Sequence, residues 1–201
     1  MREKVSNRKE RSDKKVDVKP TVPIHLYNCI ANLADITGQP IKNVVEFICM
    51  DGLRSRKVLD FISQYFRRDY QHENTIYRGN PNLAHSRYIV KNVPSKRVST
   101  RFNKEFNESM EVLAFSLGLT SVSSATRLLL ECAIRDIDII DRLIRLYTTN
   151  LSELQKKLLR DTLKYLYKNN PFKEQITFIE IVEMLIDEAR EWSILGLRKN
   201  V

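Results

Sequence analysis

Residues 97–133, RVSTRFNKEFNESMEVLAFSLGLTSVSSATRLLLECA, open with a short run in which Val98, Thr100 and Phe102 point one way and Arg97, Ser99 and Arg101 the other. Alternation of this kind marks a half-buried strand. Asn103 then reads as a helix N-cap, and Phe106, Met110, Leu113 and Leu117 follow at helical spacing. Gly118 ends that helix, Thr120 or Ser121 caps another, and Val122, Ala125, Leu128, Leu129 and Cys132 form its apolar face. One strand and two amphipathic helices cannot enclose a core alone. The unit needs a partner.

A second copy lies earlier in the chain: VDVKPTVPIHLYNCIANLADITGQPIKNVVEFICMDGL, from Val16 onward. Gly38 aligns with Gly118, an offset of 118 − 38 = 80, and the offset holds without a gap. Val18 falls on Val98, Val22 on Phe102, Leu26 on Phe106, Ile30 on Met110 and Leu33 on Leu113. In the next helix Val45, Ile48 and Cys49 fall on Ala125, Leu128 and Leu129. Two amphipathic helix pairs always share some periodicity. Here strand, glycine and both helices keep one register, which makes this a repeat. A third helix extends it, with Val58, Leu59, Asp60, Ile62 and Phe66 matching Ile139, Ile140, Asp141, Leu143 and Tyr147 after a one-residue insertion.

These features divide the chain into a tail (1–15), a first unit (16–66), a linker (67–95), a second unit (96–149) and a C-terminal segment (150–201). The tail is polar and basic, which reads as a disordered arm able to follow nucleic-acid phosphates. Gly79, Pro81 and Pro94 mark the linker, with a short strand expected at 86–90. Arg67, Arg68, Tyr70, Tyr77, Arg78, Arg87, Tyr88 and Lys91 interleave bases with aromatics there, a composition of solvated linkers that also suits nucleic-acid backbones. Leu151, Leu154, Leu158, Leu159, Leu163 and Leu166 mark a helix stopped before Pro171, and Thr177–Glu180 is a capping box opening another through about Trp192. This helical hairpin either extends the core or joins a partner, including a second copy in a homodimer.

Composition narrows the function classes. The net charge of +9 with 34 Lys and Arg favours a polyanionic partner. Cys29, Cys49 and Cys132 lack paired spacing and read as reduced core thiols of a cytoplasmic protein. No apolar run approaches the ~20 residues of a membrane span. No Gly-rich phosphate loop, paired catalytic carboxylates or metal-ligand cluster stands out, and His72 and His85 do not make a relaxase or recombinase set with the tyrosines. The expectation is a protein without catalytic activity, cofactor or metal.

RVSTRFNKEF, the turn GLTS and the helix SSATRLLLECA resemble the ribbon-helix-helix family of DNA-binding proteins, the Arc and MetJ type. VKPTVPIHL, TGQPIKN and VVEFICMDGL match the same outline less closely, and the two copies cover under half of the chain. The resemblance implies a mainly α fold: tandem units pairing two strands into an antiparallel ribbon for the DNA major groove, with a C-terminal helical hairpin. It implies base reading by Arg97, Ser99 and Arg101, and in the first copy by Asp17, Lys19 and Thr21. It further implies phosphate anchoring at the second helix's start, by Thr120, Ser121, Val122 and Ser123 and by Ile41, Lys42 and Asn43. The competing reading of all these positions is a solvated strand face and a helix cap.

Two residues depart from that pattern. Asp17 carries a charge that phosphates repel. Pro20 offers no N–H, so the expectation puts it where the amide points away from the partner strand. Pairing the two unlike copies within one chain, as a pseudo-dimer, dilutes that defect, although pairing between chains stays open. The implied partner is double-stranded DNA at an asymmetric site, in the cytoplasm on the nucleoid. The first role to expect is a transcriptional repressor. An accessory protein of plasmid transfer, partition or recombination comes second, and a non-DNA helical adaptor or an antitoxin third.

Overall fold

The structure, a computed structural model, describes residues 15–83, 93–168 and 170–172. In chain order the elements are β1 (Val16–Val18), β2 (Thr21–Pro23), α1 (Ile24–Thr37), α2 (Ile41–Arg54) and α3 (Arg56–Ser63). A hairpin follows, β3 (Tyr70–His72) and β4 (Thr75–Tyr77), and then β5 (Ser95–Arg97) and β6 (Thr100–Phe102). The remainder is α4 (Lys104–Leu117), α5 (Val122–Ala133), α6 (Ile137–Tyr147) and α7 (Glu153–Lys168). The described chain is mainly helical, with short antiparallel strand pairs.

The strands of the two halves pair with each other. β1 runs antiparallel to β6 from Val16↔Phe102 to Val18↔Thr100, and β2 to β5 from Thr21↔Arg97 to Pro23↔Ser95. One register spans both pairs, so they form one ribbon interrupted in the middle. The interruption has a chemical cause. The Val98 N–H donates to the Pro20 carbonyl at 2.9 Å, which makes Pro20 and Val98 a hydrogen-bonded pair whose reciprocal bond Pro20 cannot supply. Pro20 therefore occupies a bonding position, not the outward-facing one expected from the sequence. The Ile24 N–H donating to the Pro94 carbonyl at 2.8 Å keeps the same parity at the ribbon's end.

Both helix turns follow the local chemistry. Gly38 and Gly118 take left-handed φ of 64° and 69° as C-caps of α1 and α4, a conformation that costs glycine little. Asn103 caps α4 by accepting from the Phe106 N–H at 2.8 Å. Ser55 and Asp136 do the same for α3 and α6, the third helix of each unit. The side chains beneath the ribbon and between the helices form one core, including Val18, Leu33, Ile48, Phe102, Leu129, Leu143 and Leu163. α2 packs against α5 at its centre. There Gly52 leaves room for Ala133, whose Cβ would lie 2.5 Å from any Cβ placed on Gly52.

The segment following each unit docks on the first helix of the other. After α3, the Arg67 and Arg68 N–H groups donate to the Ser116 carbonyl at 2.8 and 3.0 Å, and Ser116 Oγ donates to the Asp69 carbonyl. After α6, Gln155 Nε2 donates to the Ile36 carbonyl at 3.1 Å, and Asn32 Nδ2 to Thr162 Oγ1 at 2.9 Å. Ile36 and Ser116 are equivalent positions of the repeat. The linker expectation is corrected in part: 70–77 is a β-hairpin packed on the molecule by Tyr70 and Tyr77 against Phe66. Leu159, Leu163 and Leu166 of α7 are buried, so this helix belongs to the core. The tail at 1–14, the strand expected at 86–90, Arg87, Tyr88, Lys91 and the helix expected at 177–192 lie outside the described residues.

Candidate nucleic-acid interface

The ribbon has two chemically distinct faces. Val18, Pro20, Val22, Val98, Thr100 and Phe102 are buried beneath it, and Asp17, Lys19, Thr21, Arg97, Ser99 and Arg101 are exposed above it. The exposed residues lie at the non-hydrogen-bonded positions, where cross-strand side chains come closest. Asp17 sits opposite Arg101, whose Nε donates to Asp17 Oδ1 at 2.7 Å. Thr21 sits opposite Arg97, and Lys19 and Ser99 occupy the centre. Among the described residues Arg97 and Lys19 have no hydrogen-bond or ionic partner. One end of the face is therefore neutralised, and its centre and other end carry uncompensated positive charge.

A helix start flanks each end. Ser121 caps α5, its Oγ accepting from the Ser124 N–H at 3.2 Å and lying 2.9 Å from Ser124 Oγ. Lys19, Thr21 and Arg97 of the ribbon and Thr120, Ser123 and Arg127 beside them line a cleft of about 480 Å³. Arg127 is held by Glu131 at 2.8 Å. At the other end Thr100 Oγ1 donates to the Lys42 carbonyl at 3.1 Å, which ties the first turn of α2 to the underside of β6. Pro40 is the N-cap of α2 and no side chain caps that end. Both helices are long enough for their N-terminal amides and dipoles to favour an anion.

The cleft thus gathers Lys19, Thr21, Arg97, Thr120 and Ser123 from the two sets of expected residues. Ser121 and Val122 start α5 without lining it; Asp17, Ser99 and Arg101 share the ribbon face outside it; Ile41, Lys42 and Asn43 stand at the other helix. Sequence reasoning missed Ser124 and Arg127, although an S-x-x-S spacing points to the first. It also missed Lys96, whose ammonium lies 3.9 Å from the Tyr27 ring centre, and the placing of Arg67, expected only among the basic linker residues, whose side chain lies against Gly118 of the cleft. No local pattern announces either contact.

The remaining polar groups read as structural. Tyr77 OH donates to Asp60 Oδ1 at 2.9 Å, and burial pushes the Tyr70 and Tyr77 hydroxyls up to about 12, which leaves poor nucleophiles. Burial also raises all three thiols, Cys29 to about 11 and Cys132 to about 12. A second charged cleft, of about 360 Å³, holds a mutually paired set. In it buried Asp136 accepts from Ser55 Oγ at 3.0 Å and Lys57 Nζ at 3.1 Å, and Arg142 pairs with Asp51 at 2.8 Å. Among the described residues no group of three or more His, Cys, Asp or Glu could hold a metal ion, and no single helix is long and apolar enough to cross a membrane. Comparison with known proteins gives no matching family model, curated protein or solved structure.

Proposed function

We propose that this chain is a sequence-specific double-stranded DNA-binding protein, with both halves of a ribbon-helix-helix reader in one polypeptide. The observation that carries the reading is the shared cleft, where Arg97, Lys19 and Thr21 of the ribbon meet Thr120 and Ser123 at the start of α5. A two-stranded ribbon fits the major groove, where Arg97 and Arg101 can fork to guanine O6 and N7 and Lys19 can reach the same acceptors. The amides and hydroxyls at Thr120–Ser123, and the uncapped start of α2 with Lys42, suit phosphates on either side and set the register. Unlike halves call for an asymmetric target. The reading needs no catalysis, metal or cofactor. Blocking a promoter as a repressor is the first role it supports; an accessory role in plasmid transfer, partition or recombination uses the same chemistry.

Selection of bound duplexes from a random DNA pool tests it, with wild type beside the Arg97→Ala/Arg101→Ala double variant. The expected result is an asymmetric motif that the variant loses. A wild type that enriches no motif and binds only with steep salt dependence would leave charge alone at work. The specific reading would then give way to the helical-adaptor one.

A further inference from the structure

Asp17 is the anomaly of the ribbon face, since a carboxylate there weakens attraction to any polyanion. It also cancels the charge of Arg101, directly opposite at 2.7 Å. The two side chains are 47% and 60% exposed, so the pair is open to whatever the face meets. The bond uses only Nε–H of the guanidinium. The four N–H donors on the Nη atoms have no partner among the described residues, and guanine O6 and N7 require two. Arg97, on the far side of Ser99 in the same half of the ribbon, has Thr21 opposite it and no such hold.

We propose that Asp17 is a positioning residue that fixes Arg101 by its Nε edge as a guanine-selective fork, so that this end of the ribbon reads sequence while adding little general affinity for phosphate. The inference rests on the DNA-binding reading above. A fork held in place before binding has already given up much of its rotamer freedom, and it discriminates by geometry. A neutral pair releases few counterions, so non-specific attraction comes from the end and centre carrying Arg97 and Lys19. Affinity and selectivity are thereby divided between the two ends of one ribbon.

The test combines pool selection with salt titration of binding, for wild type, Asp17→Asn, Asp17→Ala and Arg101→Lys, each checked for native circular dichroism. Wild type is expected to fix one guanine at the Arg101 end. In Asp17→Ala, which removes the acceptor, that preference falls at least about fivefold, binding to unrelated duplex tightens in both Asp17 variants, and the preference at the Arg97 end stays. Arg101→Lys loses the same guanine, because an ammonium lacks the fork. If both Asp17 variants keep the guanine preference, the pair merely braces the ribbon and the proposal is overturned. If wild type enriches no sequence, the DNA-reading function itself fails, an outcome separate from the first because it shows before any variant is compared. Should Asp17→Ala not fold, Asp17→Leu, of similar size and without an acceptor for Nε, decides in its place.

Discussion

Arg97 and Arg101 stand on one exposed ribbon face, on either side of Ser99, yet their surroundings give them different weights. Arg97 has no partner among the described residues, whereas Arg101 is bonded to Asp17. Removing Arg97 should lower the slope of log affinity against log salt by about one. Arg101→Ala leaves the Asp17 carboxylate uncompensated, so it should weaken binding to unrelated duplex and also cost the preferred site about 1–3 kcal/mol; salt titrations on specific and unrelated duplexes check both. The buried thiols give a second expectation at this scale. Burial raises Cys29 to about 11 and Cys132 to about 12, and Cys49 further. A group whose folded pKa is raised stabilises the fold fully below its ordinary value and loses that contribution as pH climbs toward the folded value. The melting temperature should therefore drop as pH rises above about 9. At pH 8 a thiol reagent should modify none of the three until the chain is unfolded. The sequence announced these cysteines as core residues because each sits on an apolar helix face. It could not announce the Asp17–Arg101 bond, which depends on the register of strands more than eighty residues apart.

At the scale of elements, the helices were legible because each carries its own stop and start: Gly38, Gly118, Asn103 and Ser121 act through bonds within a few residues. The hairpin of β3 and β4 was not. Its strands are short, and what holds it is remote: Arg67 and Arg68 on Ser116, and Tyr77 on Asp60. Pro20 is plain in the sequence but its place in the ladder is not, since parity is set by the partner strand. The contact between α2 and α5 was equally hidden. In α2 the sequence shows only a glycine where alanine would be the better helix former. Gly52→Ala should gain about 1 kcal/mol of helix propensity. It should lose about 1–3 kcal/mol to overpacking, because the new Cβ would meet Ala133 Cβ at 2.5 Å. The net expectation is a loss, largely relieved in Gly52→Ala/Ala133→Gly by returning the space on the other helix. Urea unfolding of the two variants measures this, and a stabilised single variant would show that the helices separate easily there.

For the whole molecule, the ribbon explains why two unlike units belong together. By the repeat's symmetry, a first unit pairing with its own copy would set Lys19 against Lys19 and place Pro20 in the ladder twice. A second unit pairing with its own copy would set Arg97 against Arg101 at both ends. Like charges directly opposite destabilise a strand pair. The mixed ribbon sets Asp17 against Arg101 and Thr21 against Arg97, and holds the Pro20 defect once. The reciprocal docking of the hairpin on α4 and of α7 on α1 adds to the same preference, since each unit completes the other's surface. Neither half then holds a full core: α2 alone exposes Val44, Val45, Ile48 and Cys49, which the intact chain buries. Fragments 1–83 and 93–201, made separately, should be largely unfolded by circular dichroism and gain native helix content when mixed, saturating at one to one. Asp17→Arg in the first fragment should weaken that association, by roughly 1 kcal/mol or more once attraction becomes repulsion, while Arg101→Asp in the second should restore part of it. Size-exclusion chromatography distinguishes the mixed pair from self-association. If either fragment folded as a stable homodimer and ignored the other, the charges across the ribbon would not be choosing the partner, and the case for an asymmetric reader built from one chain would lose its physical basis.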